Sequence, residues 1–133
     1  MNEKLLSQIG ILAISMQFIG CSRPEVGFSS DVQPILEQHC IECHDGGGEG
    51  VAASGFSVHD YDDVMIGTSF GPVVVPGSSI SSTLYLVIAH ETAKEIQMPP
   101  HHRLARATGR GRALSEYEVA MIAAWIDQGA QNN

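Results

Sequence analysis

The chain is short of positive charge. Its 133 residues hold 15 Asp and Glu against seven Lys and Arg, a formal net charge of −8. That balance makes the chain a poor candidate for binding nucleic acid, because a phosphate backbone repels an acidic chain. Cysteine is scarce too, with only Cys21, Cys40 and Cys43, and a disulfide between the last two would close a tiny loop and add little stability. No G-x-G-x-x-G is present, and no Lys-Ser or Lys-Thr follows the glycines of "DGGGEG", so there is no phosphate cradle. The acidic "HDYDD" has neither EF-hand spacing nor a Glu at the twelfth position, which argues against a calcium loop. Cys43 and His44 are adjacent, poor geometry for a nucleophile and its base. No internal repeat occurs, and no apolar run reaches the roughly 20 residues of a membrane span. What is left is 44% hydrophobic and 17% charged, the ordinary balance of one small globular domain.

The first residues suggest export. Lys4 precedes an apolar segment from about Leu5 to Ile19, broken by Ser7, Gln8, Ser15 and Gln17. It fits an export signal better than a spanning helix. The segment closes on "FIGC", and a small residue before cysteine resembles the lipobox of bacterial lipoproteins, with Phe18 where such boxes prefer Leu. The resemblance implies cleavage before Cys21 and lipid on Cys21. Residues 21–133 then carry 14 acids and 6 bases, unevenly: 11 against 2 over residues 21–97, and 3 against 4 over residues 98–133.

Downstream, the hydrophobic pattern is helical. "FSSDVQPILEQHC" places Val32, Ile35, Leu36 and His39 on one face, with Asp31 as N-cap and Pro34 at the third helical position, where its missing N–H is harmless. "DGGGEG" reads as a loop, and Asp60 to Ile66 as a turn or two of helix stopped by Gly67. "VVVPGSS" reads as an extended run and turn. "SSISSTLYLVIAH" reads as one helix capped by Ser78 or Ser79, with Ile80, Leu84, Val87 and Ile88 on its apolar face. In the final helix Ser115 and Glu118 make an S-x-x-E capping box, with Leu114 and Val119 at the staple positions. Val119, Ile122, Ala123 and Ile126 form its inward stripe beside Trp125, and Gly129 ends it. Strands are minor, and the expected class is all-α.

The chemistry concentrates in Cys40, Cys43 and His44, a C-x-x-C-H run between helix and glycine loop. Zinc needs two further ligands, and only His101 and His102 offer themselves. A thiol redox switch expects a βαβ setting. Attachment of c-type haem has C-x-x-C-H as its signature. The two-residue gap sets both sulfurs at one porphyrin edge to meet its two vinyl groups, and the next residue, His44, supplies an imidazole nitrogen to the iron. For a second axial ligand the leading residue is Met98 in "EIQMPPHH", stiffened by two prolines. His101 or His102, or an open position, are the alternatives. Met65 and Met121 read as core filler.

These residues, in the order Phe28, Val32, Pro34 to Leu36, Cys40 to His44, Val75 to Gly77, Met98 to Pro100 and Leu114 to Ala130, resemble the planctomycete-type cytochrome c domain. The resemblance spans residues 28–130. It implies three to four helices around one covalently attached haem c, thioether links at Cys40 and Cys43, His44 as proximal ligand and Met98 as distal ligand. The organisation that follows is a lipoprotein-type signal peptide over 1–20, a tether over 21–27, a monohaem domain over 28–130 and a tail over 131–133. The function implied is electron transfer between redox partner proteins on the periplasmic side of a membrane, anchored by lipid on Cys21 or else soluble. No nucleic acid or small-molecule substrate is expected. With both axial positions filled the protein is a carrier and no enzyme; a peroxidase-like enzyme or gas sensor with an open distal site, and a zinc or thiol-redox module, are the alternatives. Residues 101–113, "HHRLARATGRGRA", make a longer insert than is usual for such domains. Its Arg103, Arg106, Arg110 and Arg112 read as a solvated loop, or as partners for haem propionates or an acidic protein.

Overall fold

A computed structural model describes residues 23–100 and 112–133. Cys21, His101, His102, Arg103, Arg106 and Arg110 fall outside the described residues. Among the described residues five α-helices follow one another: α1 Gln33–His39, α2 Glu49–Ser54, α3 Tyr61–Ile66, α4 Thr83–Ile88 and α5 Glu116–Asp127. A π turn over Phe28–Val32 leads into α1, and 3₁₀ turns occupy Ser79–Ser81 and Lys94–Ile96. The only bridge described is the isolated pair Thr68 and Gly71. The class is all-α, with five helices where three to four were expected, and none described is long and apolar enough to cross a membrane.

The first helical run begins earlier than Asp31. The chain turns at Gly27, and Gln33 donates to the Phe28 carbonyl five residues back. Pro34 has no N–H to continue the ordinary ladder, and the turn ahead of it is the wider π form. Asp31 reaches back to accept from the Gly27 N–H at 2.9 Å and from the Ser30 hydroxyl at 2.7 Å. These two bonds, the hydroxyl's first, hold its carboxyl below the usual range.

The core is aromatic at its centre. Phe28 and Trp125 stand 5.4 Å apart, Phe28 and Tyr61 5.3 Å apart, and Trp125 is fully buried rather than flanking. The two polar tips are satisfied: Trp125 Nε1 donates to the Gln131 carbonyl at 2.9 Å, and the Tyr61 hydroxyl to the Ala130 carbonyl at 2.8 Å. Val32, Leu36, Val58, Val64, Ile122 and Ile126 complete the interior. Each buried side chain of this size stabilises by about 1.5–3 kcal/mol. The last residues close on the first, for Asn133 accepts from the Phe28 and Ser29 backbone N–H groups.

The expected single helix over 78–90 is broken in two at Ser82. The buried Ser82 hydroxyl accepts from the Val75 N–H at 2.8 Å and donates to the Ser78 carbonyl at 2.8 Å, so it secures the preceding turn. Leu84 and Ile88 remain inside, whereas Ile80 is left 76% exposed. The capping box of α5 forms as its sequence predicts, with both reciprocal bonds present. The glycine loop holds an unexpected helix, since α2 begins at Glu49 and takes Gly50 into its first turn.

Candidate functional site

The motif occupies the turn where α1 ends. Cys40 and Ile41 both donate to the Leu36 carbonyl, which closes the helix. The Cys40 carbonyl then accepts from Cys43 at 3.1 Å and from His44 at 2.9 Å, folding the five residues into one compact turn. The Cys43 carbonyl in turn accepts from Gly50 at 2.9 Å and Val51 at 3.2 Å. A helix start has N–H groups with no partner of its own, and this carbonyl supplies one. The C-x-x-C-H turn and α2 therefore fix each other.

His44 is held on two sides. Its Nδ1 lies 3.0 Å from the carbonyl oxygen of Phe56. A carbonyl only accepts, so Nδ1 carries the proton and Nε2 is left with its lone pair. This is the arrangement of a metal-ligating histidine oriented by a backbone carbonyl. On the other side Gly50 passes so close that a Cβ there would lie 2.6 Å from Cε1 and 2.8 Å from both ring nitrogens. The Phe56 ring meets the imidazole edge-on at 5.4 Å.

No disulfide joins the two cysteines, and both are half-buried. Burial pushes the Cys40 thiol up to about 12, and Cys43 beside it adds to the shift. A thiol so held is a poor exchange nucleophile, which needs thiolate. Cys43 Sγ lies 3.6 Å from Glu49 Oε1. Among the described residues no three His, Cys, Asp or Glu side chains gather as a metal-holding cluster. The donor set fits haem c: two thiols at the right spacing and one imidazole oriented by a backbone carbonyl.

Met98 is half-buried and packs against the same hydrophobic core as Cys40. Its N–H donates to the Val87 carbonyl at 3.0 Å, and Pro99 behind it is buried. The Gln97 side chain donates to the His90 and Thr92 carbonyls, stapling the loop ahead of it. An open cavity of about 550 Å³ lies elsewhere, between α4 and α5, lined by Tyr85, Ile88, His90, Leu114, Val119 and Ala123 among others. Cys40, Cys43, His44 and Met98 take no part in its lining.

One further contact ties the motif to the rest. His39, the last residue of α1, has its Nε2 3.0 Å from Glu118 Oε1, with side chains only 5% and 21% exposed. Glu118 also makes the α5 capping box. The Ser115 backbone N–H, then its hydroxyl and His39, hold the Glu118 carboxyl down at about 2. Sequence reasoning placed His39 on the apolar face and missed this pairing. It also missed Gly50 as the floor of the imidazole. Nothing in a pattern of types marks either, since both are contacts across the fold.

An all-α chain with a C-x-x-C-H turn, a carbonyl-oriented histidine and a Met-Pro-Pro loop is consistent with a c-type cytochrome domain. Residues 40–102, just under half of the chain, match the sequence model of the family described as Planctomycete cytochrome C. The match runs from Cys40 past Met98 and is shorter than the resemblance over 28–130. The family implies covalently bound haem c and a part in electron transfer. No curated protein and no solved structure matches the chain.

Proposed function

We propose that the protein is a monohaem c-type cytochrome that carries single electrons outside the cytoplasm, with His44 and Met98 as its axial ligands. The observation that carries this reading is the bond from His44 Nδ1 to the Phe56 carbonyl inside a C-x-x-C-H turn. It presents Nε2 as a ligand nitrogen on a rigid support. Haem c, when bound, supplies one-electron iron redox chemistry.

The chain's own residues do the rest. Cys40 and Cys43 hold the group by thioether links, which serves a domain too small to enclose it fully. Gly50 leaves room for the imidazole, and the Phe56 carbonyl orients it. Met98 offers a thioether from a loop stapled by Gln97, and a thioether favours reduced iron more than a second imidazole does. With both ligands in place no position remains for a substrate, so one electron enters from a reduced partner and leaves to an oxidised one. Lipid on Cys21 after export tethers the domain near membrane-bound partners, a bacterial lipoprotein cysteine carrying several acyl chains.

The test is an optical spectrum of the protein produced with haem-attachment machinery. The ferric form is expected to show a weak red charge-transfer band that disappears in Met98→Ala. A band that survives the substitution, or rapid carbon monoxide binding by the untreated ferrous protein, contradicts the His/Met assignment.

A further inference from the structure

Among the described residues the most exposed large apolar side chain is Phe70, 91% open, with Ile66 69% open four residues before it. Isolated exposed apolar residues are common, but this one is built into a rigid support. Thr68 N–H donates to the Gly71 carbonyl at 2.9 Å, and Gly71 N–H returns to the Thr68 carbonyl at 3.0 Å. Phe70 N–H donates to Thr68 Oγ1 at 3.1 Å, and Ser69 N–H to the Ser54 carbonyl at 2.8 Å. Every backbone N–H from 68 to 71 is spent, so the ring stands on a turn with little freedom left to lose on contact. Gly67 closes the base, where a Cβ would lie 2.6 Å from the Gly71 carbonyl oxygen.

The support leads to the redox site. Ser54 is the last residue of α2, and Gly50 of the same helix lies against the His44 imidazole. The two positions are about 6 Å apart along the helix axis at the α-helical rise. The stretch of chain that carries this turn has one formal sign. From Pro24 to Ala93 the chain holds ten carboxylates and no Lys or Arg, and Asp60 and Asp62 of the neighbouring α3 region are exposed. An apolar anchor on an acidic field fits a partner whose contact surface is an apolar recess rimmed by Lys and Arg. Such small, charge-steered contacts suit brief redox encounters.

We infer that Phe70 and Ile66, set in the acidic face of α2 and α3, are the docking point for a redox protein with a basic-rimmed apolar recess. This rests on the electron-carrier reading above. The probe is a compact stand-in for that chemistry, a tris(phenanthroline) metal trication with aromatic faces. With the redox-inert, paramagnetic chromium(III) complex added to isotope-labelled holoprotein, the amide signals of residues 66–71 are expected to broaden first. The broadening should vanish at high salt and in Phe70→Ser. Broadening spread evenly over the acidic surface, or unchanged in Phe70→Ser, overturns the proposal.

The cobalt(III) complex adds the redox readout: it takes one electron from the ferrous protein and becomes cobalt(II). Phe70→Ser should slow that step about five-fold, the loss of one modest anchor, and leave oxidation by anionic ferricyanide unchanged. Equal slowing with both oxidants, or with neither, overturns it. A ferrous wild-type protein that reduces neither oxidant sinks the carrier reading alone, because the chromium probe reads the docking point of the holoprotein without electron transfer.

Discussion

A Cβ on Gly50 would lie 2.6 Å from Cε1 of His44, closer than real Cβ atoms approach any neighbour. Gly50 sits in the first turn of a helix, where alanine ordinarily gains about 1 kcal/mol over glycine. Gly50→Ala is therefore expected to run against the propensity rule. The methyl must displace either the imidazole or α2, and overpacking of that kind costs about 1–3 kcal/mol. Denaturant unfolding of the holoprotein checks the sign, and a stabilised variant would show that His44 moves aside freely.

Glu118 links α5 to the helix that ends at the C-x-x-C-H motif. Its folded carboxyl is held at about 2, below the ordinary value near 4.5, by Ser115 first and His39 after. The stability it contributes is complete above about 4.5 and is lost as pH falls from there toward 2. Glu118→Ala should cost about 1 kcal/mol at neutral pH, the usual worth of a cap. Thermal unfolding of both proteins across the acid range should show the two curves converging as pH falls. A constant gap would place the effect elsewhere than in the carboxylate.

Trp125 is fully buried, packed between Phe28 and Tyr61, with its indole N–H on the Gln131 carbonyl. Trp125→Ala is expected to cost about 3–5 kcal/mol, enough to threaten the fold of a small domain. Trp125→Phe keeps the ring and loses the hydrogen bond, and should cost less. Chemical denaturation of the pair orders the two losses.

Met98→His exchanges a thioether for a second imidazole. The reduction potential is expected to fall, because the thioether favours the reduced iron. Potentiometric titration reads the shift, and an unchanged potential would mean that residue 98 is not at the iron.

The sequence was most legible where one residue type at one spacing has a single use. Ser115 and Glu118 announced the α5 cap, Gly67 the end of α3, and C-x-x-C-H its class of chemistry. It was least legible where tertiary partners overrode local preference. Four glycines in "DGGGEG" read as loop, yet the Cys43 carbonyl gives α2 its start and Gly50 joins it. Ser82 read as interior to one helix, yet its hydroxyl found Val75 and Ser78 and split the helix in two. Asp31 read as a cap by type, whereas the helical run starts at Phe28 and Asp31 serves it from inside. The orientation of His44 depends on a carbonyl twelve residues away, which no side-chain pattern encodes.

The central claim is one haem fixed by Cys40 and Cys43. Its most direct test is the intact mass of the holoprotein under denaturing conditions, followed by peptide mapping. The account predicts a polypeptide heavier by one haem, with that mass confined to the peptide holding Cys40 and Cys43 and absent from the Cys40→Ser, Cys43→Ser double variant. An unmodified polypeptide mass, with any haem released on denaturation, would contradict it.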